Sequence, residues 1–192
     1  MQSSAVNEKG PAQSAGLVLS CPLIVLVGMM GAGKTTVGRD LARRLQWRFL
    51  DCDHEIEART GVKIPTIFEI EGEEGFRSRE SLTLEELSRE RGVVLATGGG
   101  AVLRPANRAM LRERGFVIFL DVPPQVLWER TRHDRSRPLL QCENPRARID
   151  ALYRERAPYY RDAAHLIIEG GRGNPGAMTR IIEKELAKRC KP

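Results

Sequence analysis

A glycine-rich segment near the amino terminus carries residues whose types and spacing suit phosphate chemistry. The segment from Gly28 to Thr35 reads GMMGAGKT and matches the pattern G-x-x-x-x-G-K-[ST] in full. Glycines allow successive backbone N–H groups to point at one phosphate, and the start of a helix adds a partial positive charge. Lys34 would reach the β- and γ-phosphates, and the Thr35 hydroxyl would bind Mg²⁺. The segment predicts a nucleoside triphosphate site and leaves the phosphate acceptor open.

Two other classes of P-loop protein find no support in the sequence. The strings Asp-x-x-Gly and Asn-Lys-x-Asp, which a GTPase needs for the γ-phosphate and for guanine, do not occur. An ATPase motor would carry an apolar strand ending in Asp-Glu, but Val122 follows Asp121. We therefore interpret Asp121 as a cap or loop residue. A kinase of small molecules is the class that is left.

Two short segments that follow predicted strands could serve the acceptor. Asp51 and Asp53 could divide the work, one holding the metal's water and the other binding hydroxyls or accepting a proton. The pattern allows equally well that Asp53 is a helix N-cap. The triplet 98–100 is Gly-Gly-Gly, which suits a site where a ligand touches the backbone, and a mobile loop is the alternative.

Arginines are the third feature on the acceptor side. The guanidinium group binds carboxylate or phosphate with two parallel hydrogen bonds and does not lose its proton. Most arginines of this chain must be ordinary surface charge. The candidates are Arg77, Arg130, Arg132, Arg135, Arg137, Arg154 and Arg156.

Short apolar runs alternate with helical patterns along the chain. This alternation predicts an α/β fold with a parallel sheet, and ligands bind such sheets at the carboxyl ends of the strands. A stripe of Leu82, Leu84 and Leu87 is expected to face the core. Pro65 is predicted to lie in the first turn of a helix, ahead of Ile67, Phe68 and Ile70. We predict strands at 23–27, 48–50, 93–96, 116–120 and 166–168, further helices at 33–45, 53–59, 73–91, 107–114, 123–132, 146–157 and 175–188, and a loop at 133–145.

Composition narrows the class of partner. The 192 residues suit one domain, and the net charge of +6 suits an anionic ligand. Aromatic residues make up 5% of the chain, which is few for a surface that stacks nucleic-acid bases, and no run of five like charges occurs. No apolar run approaches the roughly 20 residues of a membrane-spanning helix. The four cysteines are scattered, which indicates neither zinc nor disulfides but reduced thiols in the cytoplasm.

Seven strings, in this order, resemble the shikimate kinase family. Together they span nearly the whole chain after residue 22. The resemblance implies ATP-dependent phosphorylation of the 3-hydroxyl of shikimate to shikimate 3-phosphate, a step towards chorismate and the aromatic amino acids. A kinase of another small polyol acid, such as gluconate, is the alternative. The strings are GMMGAGKTTVGR (28–39), FLDCDHEIEARTG (49–61), IFEIEGEEGFRSRE (67–80), TGGGAV (97–102), RPLL (137–140), ERAPYYRDAA (155–164) and NPGA (174–177).

The resemblance also implies a fold and a domain plan. The fold would be a three-layer α/β/α P-loop NTPase fold with five parallel strands in the order 2-3-1-4-5. One kinase domain would span 23–190 after a flexible tail at 1–22, with a lid at about 133–145 and a shikimate-binding region at about 53–80. We expect a cytoplasmic monomer that takes ATP and shikimate and has no nucleic-acid or membrane partner.

Roles for ATP and Mg²⁺ are implied position by position. Lys34 and Arg137 would act on the transferring phosphate, and Thr35 would bind Mg²⁺ directly while Asp51 binds it through water. Family members can carry an arginine where this chain has Gly173, so Arg172 is the candidate for that adenine-side contact. The implied ATP-binding residues are Gly31, Ala32, Gly33, Lys34, Thr35, Thr36, Arg130, Arg137, Gly173 and Pro175.

Roles for shikimate are implied in the same way. Asp53 would hold hydroxyl groups and is the candidate base, and Arg77 and Arg156 would clamp the carboxylate. The backbone of Gly98, Gly99 and Gly100 would line the ring. With Lys34 and Arg137, Asp53 completes the implied catalytic set.

Overall fold

Five parallel strands form the centre of the molecule, with helices on both faces of the sheet. The structure is a computed structural model that describes residues 19–134, 137–171 and 173–191. The strands are β1 (Leu23–Val27), β2 (Arg48–Asp51), β3 (Val93–Ala96), β4 (Phe116–Asp121) and β5 (Leu166–Glu169). Their order is β2-β3-β1-β4-β5, and each neighbouring pair is parallel. The predicted fold class and strand order are confirmed.

The register of the sheet brings the ends of its central strands to one edge. Every residue of β1 and β3 is buried, as expected for parallel strands that are covered on both faces. Leu26 of β1 lies beside Ala96 of β3, and Val27 lies beside Phe119 of β4. Asp51, the last residue of β2, also pairs with Ala96. The segments that follow these strands therefore meet above one end of the sheet.

The described residues also form seven α-helices and one short 3-10 turn, of which all but the last helix lie between strands. The 3-10 turn covers Pro138–Leu140, inside the segment that we predicted as a loop without regular structure. Residues 135 and 136 of that segment lie outside the described residues, as do Arg172 and residues 1–18 of the predicted tail. The helices are α1 (Lys34–Leu45), α2 (Cys52–Thr60), α3 (Ile64–Leu87), α4 (Pro105–Arg114), α5 (Pro124–Thr131), α6 (Pro145–Ala163) and α7 (Pro175–Arg189).

Helix α3 differs from its prediction in extent and in orientation. It joins the helical turn predicted at Pro65 to the helix predicted from 73, and it ends at Leu87 rather than 91. Gly72 interrupts it between the two parts with φ 71° and ψ −177°, a conformation that glycine adopts without steric cost. Leu82 is 63% exposed, so the predicted leucine stripe is wrong at that position. The buried face of the helix is Ile67, Phe76, Arg77, Glu80, Thr83, Leu84 and Leu87. Two charged residues therefore stand in a face that the pattern predicted to be apolar.

Helix α6 is longer than predicted because it continues through a proline. We ended the helix at residue 157, before Pro158, which lacks the N–H that continues the helix. The structure extends α6 to Ala163, and both Tyr160 and Ala163 are fully buried. Packing of this last segment against the core outweighs the lost hydrogen bond.

The described residues contain no membrane-spanning helix and no disulfide. Across 19–134, 137–171 and 173–191, none of the helices has the length and apolar character that crossing a bilayer requires. All four cysteines lie within these ranges and are free thiols, and the Ser20 N–H donates to the Cys190 carbonyl at 2.9 Å.

Candidate active site

The phosphate loop joins the end of β1 to the start of α1. Gly31 (φ 77°) and Gly33 (φ 96°) adopt left-handed backbone conformations, which explains the glycines of the motif. No side chain caps α1 at Gly33, so the first amides of this 12-residue helix have no partner within the helix. Free amides at a helix N-terminus bind anions. Ala32 differs from the other loop residues, because its side chain is buried and its N–H donates to the Met29 carbonyl at 3.1 Å.

Lys34 is folded back onto its own loop. Its Nζ donates to the carbonyl of Gly28 at 2.8 Å and to that of Met29 at 3.0 Å. Burial lowers the pKa of Lys34 to about 8, against the opposing attraction of Asp53. The ammonium group is therefore charged at neutral pH and can exchange two carbonyl partners for phosphate oxygens.

Asp51 and Thr35 face each other beside the loop. The Thr35 hydroxyl donates to Asp51 Oδ2 at 2.9 Å, and Asp51 Oδ1 accepts from the Asp53 N–H at 3.2 Å. Asp51 is thus the N-cap of α2, and the alternative that Asp53 caps this helix is wrong. The spacing of Asp51 and Asp53 in the sequence could not show which of them caps α2, because the helix begins one residue earlier than predicted.

The Thr35 and Asp51 oxygens have the chemistry of a magnesium site. Within the described ranges, no group of three or more His, Cys, Asp or Glu side chains could hold a metal ion by itself. Mg²⁺ usually takes one or two protein ligands, keeps several waters and completes its shell with substrate phosphates. A single hydroxyl and a neighbouring carboxylate next to a phosphate loop fit this mode of binding.

Asp53 lies close to two other carboxylates, those of Glu80 and Asp51. Its Oδ1 is buried and has no hydrogen-bond partner among the described residues. Burial raises the pKa of Asp53 to about 7, and the nearby carboxylates of Glu80 and Asp51 act in the same direction. An orphaned oxygen of this kind is available to a ligand hydroxyl.

Two buried arginines stand across from Asp53. Arg77 donates to Glu80 at 2.8 Å and to Glu73 at 3.0 Å, and the Nε atoms of both Arg77 and Arg156 are buried without a partner. Arg156 is 2% exposed. Guanidinium groups held this way keep donors free for an anion that enters the site.

Glu80 is a site residue that the sequence analysis missed. It is wholly buried, and burial raises its pKa while Arg77 lowers it. A buried carboxylate of this kind positions the guanidinium that it pairs with. The spacing i, i+3 between Arg77 and Glu80 was the available signal, but a helix with many charges offers several such pairs.

Gly98 and Gly100 lie directly against these charged groups, whereas Gly99 lies against the phosphate loop. A Cβ at Gly98 would overlap Glu80 Oε1 and would lie 2.9 Å from Asp53 Oδ1, and a Cβ at Gly100 would overlap the Arg77 guanidinium. A side chain at either position would have to displace a buried charged group, so the packing favours a fixed segment over a mobile loop.

Two cavities contain most of the predicted site residues and share a boundary. The first, of about 660 Å³, contains the phosphate loop, Asp51, Arg130, Gly173 and Pro175. The second, of about 610 Å³, contains all six predicted substrate residues. Both are lined by Met30, Asp53, Gly99 and Arg137. The structure therefore presents one cleft with two lobes, and Asp53 lies where they meet.

The segment after α5 contributes to both lobes. Arg137 donates to Asp134 at 2.8 Å and lines both cavities, whereas Pro138 and Leu139 line the acceptor cavity. The resemblance implied a lid for ATP alone, so the contact of this segment with the acceptor lobe was not predicted. Arg130 donates to the carbonyls of Gly31 (3.1 Å) and Gly171 (2.7 Å) and thereby ties the phosphate loop to the segment before Gly173.

Two of the candidate arginines lie outside the cleft. Arg132 and Arg154 line neither cavity, and Arg135 lies outside the described residues. Asp121 accepts hydrogen bonds from Tyr153 at 2.6 Å and Arg161 at 2.8 Å, so it links β4 to α6. Its interpretation as a cap or loop residue is wrong, because it ends β4 and α5 has its N-cap at Pro123.

Comparison with known proteins gives one family. A family model described as shikimate kinase matches residues 30–187. A shikimate kinase from Aromatoleum aromaticum is 71% identical over 164 residues, which cover 85% of this chain and 94% of that protein. One from Dechloromonas aromatica is 60% identical and covers 84% and 88% of the two chains.

Solved structures separate this family from its fold relatives. A shikimate kinase from Acinetobacter baumannii in complex with shikimate is 48% identical, has a TM-score of 0.86, and the match covers 90% of this chain and 97% of the other. A gluconokinase from Sinorhizobium meliloti is 16% identical with a TM-score of 0.56, covering 90% and 95%. A likeness at that identity shows a shared fold alone.

Proposed function

The chain belongs to the shikimate kinase family, and from that premise we propose how its residues carry out the reaction. The enzyme transfers a phosphoryl group from ATP to the 3-hydroxyl of shikimate and forms shikimate 3-phosphate and ADP. The observation that carries the assignment of roles is the two-lobed cleft with Asp53 at its junction.

The phosphate loop binds the triphosphate of ATP in this proposal. The free amides at the start of α1 and the Lys34 ammonium provide positive charge where the transition state spreads negative charge. Lys34 gives up its carbonyl partners in the loop to reach the transferring phosphate. Thr35 would hold Mg²⁺ directly and Asp51 through water, and the ion would neutralise charge on the phosphates. Gly173 and Pro175 flank the adenine end.

The acceptor lobe binds shikimate by its carboxylate. Arg77 and Arg156 line the acceptor cavity, and each has an Nε donor without a partner among the described residues, which suits a carboxylate and gives a neutral sugar no partner. Asp53 binds the ring hydroxyls and accepts the proton of the 3-hydroxyl as the phosphate is transferred. Its orphaned oxygen supports this role, and its raised pKa of about 7 suits a base near neutral pH.

Arg137 and its neighbours close the cleft. Because Arg137 lines both cavities, its guanidinium can reach the ATP phosphates while Pro138 and Leu139 cover the acceptor. Closure excludes water, which otherwise competes with the hydroxyl for the phosphate. We also propose that the chain acts as a cytoplasmic monomer, because both lobes are built from one chain and the reaction consumes ATP.

An ADP-release assay with three acceptors tests this function. Shikimate is expected to support turnover, whereas gluconate, a flexible chain, and quinate, with an altered ring, are expected to give little. Faster ADP release with gluconate than with shikimate would contradict the assignment of the acceptor lobe.

Arg77→Ala is expected to weaken the binding of shikimate much more than the binding of ATP. The loss of a charged hydrogen-bonding partner for the carboxylate should raise the KM for shikimate by about 100-fold. Steady-state kinetics with each substrate varied in turn provide the measurement. An equal rise in the KM of both substrates would contradict the clamp.

Two further variants control for the environment of Arg77. Arg77→Ala leaves Glu80 buried and unpaired, so its melting temperature should fall. The double variant Arg77→Ala/Glu80→Gln should recover stability without recovering affinity for shikimate. Arg154→Ala, which removes an exposed arginine of α6 outside both cavities, should behave as the wild type.

A further inference from the structure

Tyr160 lies beneath the cleft where three parts of the site come together. It belongs to α6 and is fully buried, and its ring stacks on Phe119 with the centroids 5.0 Å apart. Its hydroxyl donates to the Gly99 carbonyl and lies 3.6 Å from Met29 Sδ in the phosphate loop. The Arg156 guanidinium, one turn earlier on the same helix, interacts with this hydroxyl. A core tyrosine needs a partner for its hydroxyl, but these partners all belong to the cleft.

The hydrogen bond to Gly99 determines the orientation of an amide. A trans peptide is planar, so its N–H points opposite to its C=O. Holding the Gly99 carbonyl towards Tyr160 turns the Gly100 N–H away from it. Across the described residues, the Gly100 amide donates no hydrogen bond, and Gly100 packs against Arg77. This amide is thus free for a ligand in the acceptor lobe.

The same contact fixes the distance between the lobes. A Cβ at Gly99 would lie 3.5 Å from the Met30 nitrogen and 3.8 Å from the Gly28 oxygen, so the glycine segment rests on the phosphate loop. Tyr160 touches both segments from below. A shift of the glycine segment would change the separation of the two substrates, on which phosphoryl transfer depends.

We propose that Tyr160 is a positioning residue for the acceptor, whose hydroxyl holds the Gly99–Gly100 peptide against the phosphate loop and beside Arg156. The proposal rests on the function proposed above for the acceptor lobe. The hydroxyl does not exchange its proton during the reaction. Burial raises the pKa of the Tyr160 phenol, so it remains a hydrogen-bond donor throughout the range in which the enzyme works.

The test is Tyr160→Phe, which keeps the ring on Phe119 and removes only the hydroxyl. The KM and the Kd for shikimate should rise about tenfold while the KM for ATP changes less than about twofold, because one hydrogen bond to the acceptor segment is lost. Tyr159→Phe is the matched control. Tyr159 is 37% exposed, its ring lies under Arg108 rather than in the cleft, and its variant should match the wild type.

A structural variant separates positioning from packing. Phe119→Leu removes the ring partner of Tyr160 but keeps its hydroxyl, so it should lower the melting temperature and leave the Kd for shikimate unchanged. The proposal is overturned if Tyr160→Phe keeps the wild-type Kd for shikimate, or if it weakens the binding of shikimate and of ATP equally. It is also overturned if Phe119→Leu raises the Kd for shikimate as much as Tyr160→Phe does.

If Tyr160→Phe does not fold, an NMR measurement on the wild-type protein tests the proposal instead. In protein labelled with ¹⁵N-glycine, the Gly100 amide signal should shift when shikimate is added and stay in place with ADP. A Gly100 signal that shikimate leaves unmoved would overturn the proposal. Wild-type protein that fails to phosphorylate shikimate would instead refute the function of the lobe, so the two failures are distinguishable.

Discussion

Replacing Lys34 by alanine is expected to lower kcat by at least about 1,000-fold, because the variant loses the one side-chain cation of the phosphate loop that reaches the transferring phosphate. In the wild type, Lys34 bonds two carbonyls of its own loop and can trade these for phosphate oxygens. The KM for shikimate should change little, since Lys34 does not line the acceptor cavity. Single-turnover kinetics with saturating Mg-ATP and shikimate provide the measurement.

Two controls make this result specific. Lys188→Ala removes an exposed lysine of α7 that pairs with Glu185, and it should leave kcat unchanged. Circular dichroism should give the same helical content for Lys34→Ala as for the wild type, because the backbone of the loop is set by its glycines. Near-normal turnover of purified Lys34→Ala would refute the role of the phosphate loop.

Asp53→Asn is expected to lower kcat by about 100- to 1,000-fold, even at saturating shikimate. The amide keeps the size of the side chain and still bonds hydroxyl groups, but it cannot accept the proton that leaves the 3-hydroxyl. The KM for shikimate should rise only slightly. A variant with normal kcat and a raised KM would mean that Asp53 binds the acceptor without acting as a base.

The melting temperature of Asp53→Asn shows whether its lower kcat comes from misfolding. The pKa of Asp53 in the folded protein, about 7, lies above its ordinary value of 3.8, so the folded state holds this proton more tightly than the unfolded state does. The wild type therefore loses stability as the pH rises from the ordinary pKa to the pKa of the folded protein. An asparagine at this position does not titrate, so the variant does not lose this stability. At pH 8, Asp53→Asn should melt at or above the wild-type temperature, as a thermal scan would reveal. A large fall would indicate that the charge supports the fold.

The local sequence pattern was sufficient to predict features that depend on residues close together in the chain. The phosphate loop was predicted from its pattern because its glycines, lysine and threonine lie within eight residues, and the left-handed Gly31 and Gly33 confirm its glycine conformations. The strands at 23–27 and 93–96 were predicted to the residue, since continuous apolar runs are typical of buried parallel strands. Boundaries were less accurate where packing competes with propensity, as where α6 continues through Pro158.

Contacts between distant residues needed the tertiary structure. Asp53 and Glu80 belong to different helices, so the sequence could not indicate that burial, together with the nearby Glu80 carboxylate, raises the pKa of Asp53. The assignment of the α2 cap to Asp51 depended on where one helix turn begins.

Patterns along the chain were enough to predict the fold class, the family and the phosphate chemistry, because each can be recognised without knowing which distant residues meet. The folded arrangement was needed to see which charges are buried together and which hydroxyl bonds the glycine segment. Tyr160 and Gly99 are 61 positions apart, and burial, which removes competing water, is what gives such a pair its strength.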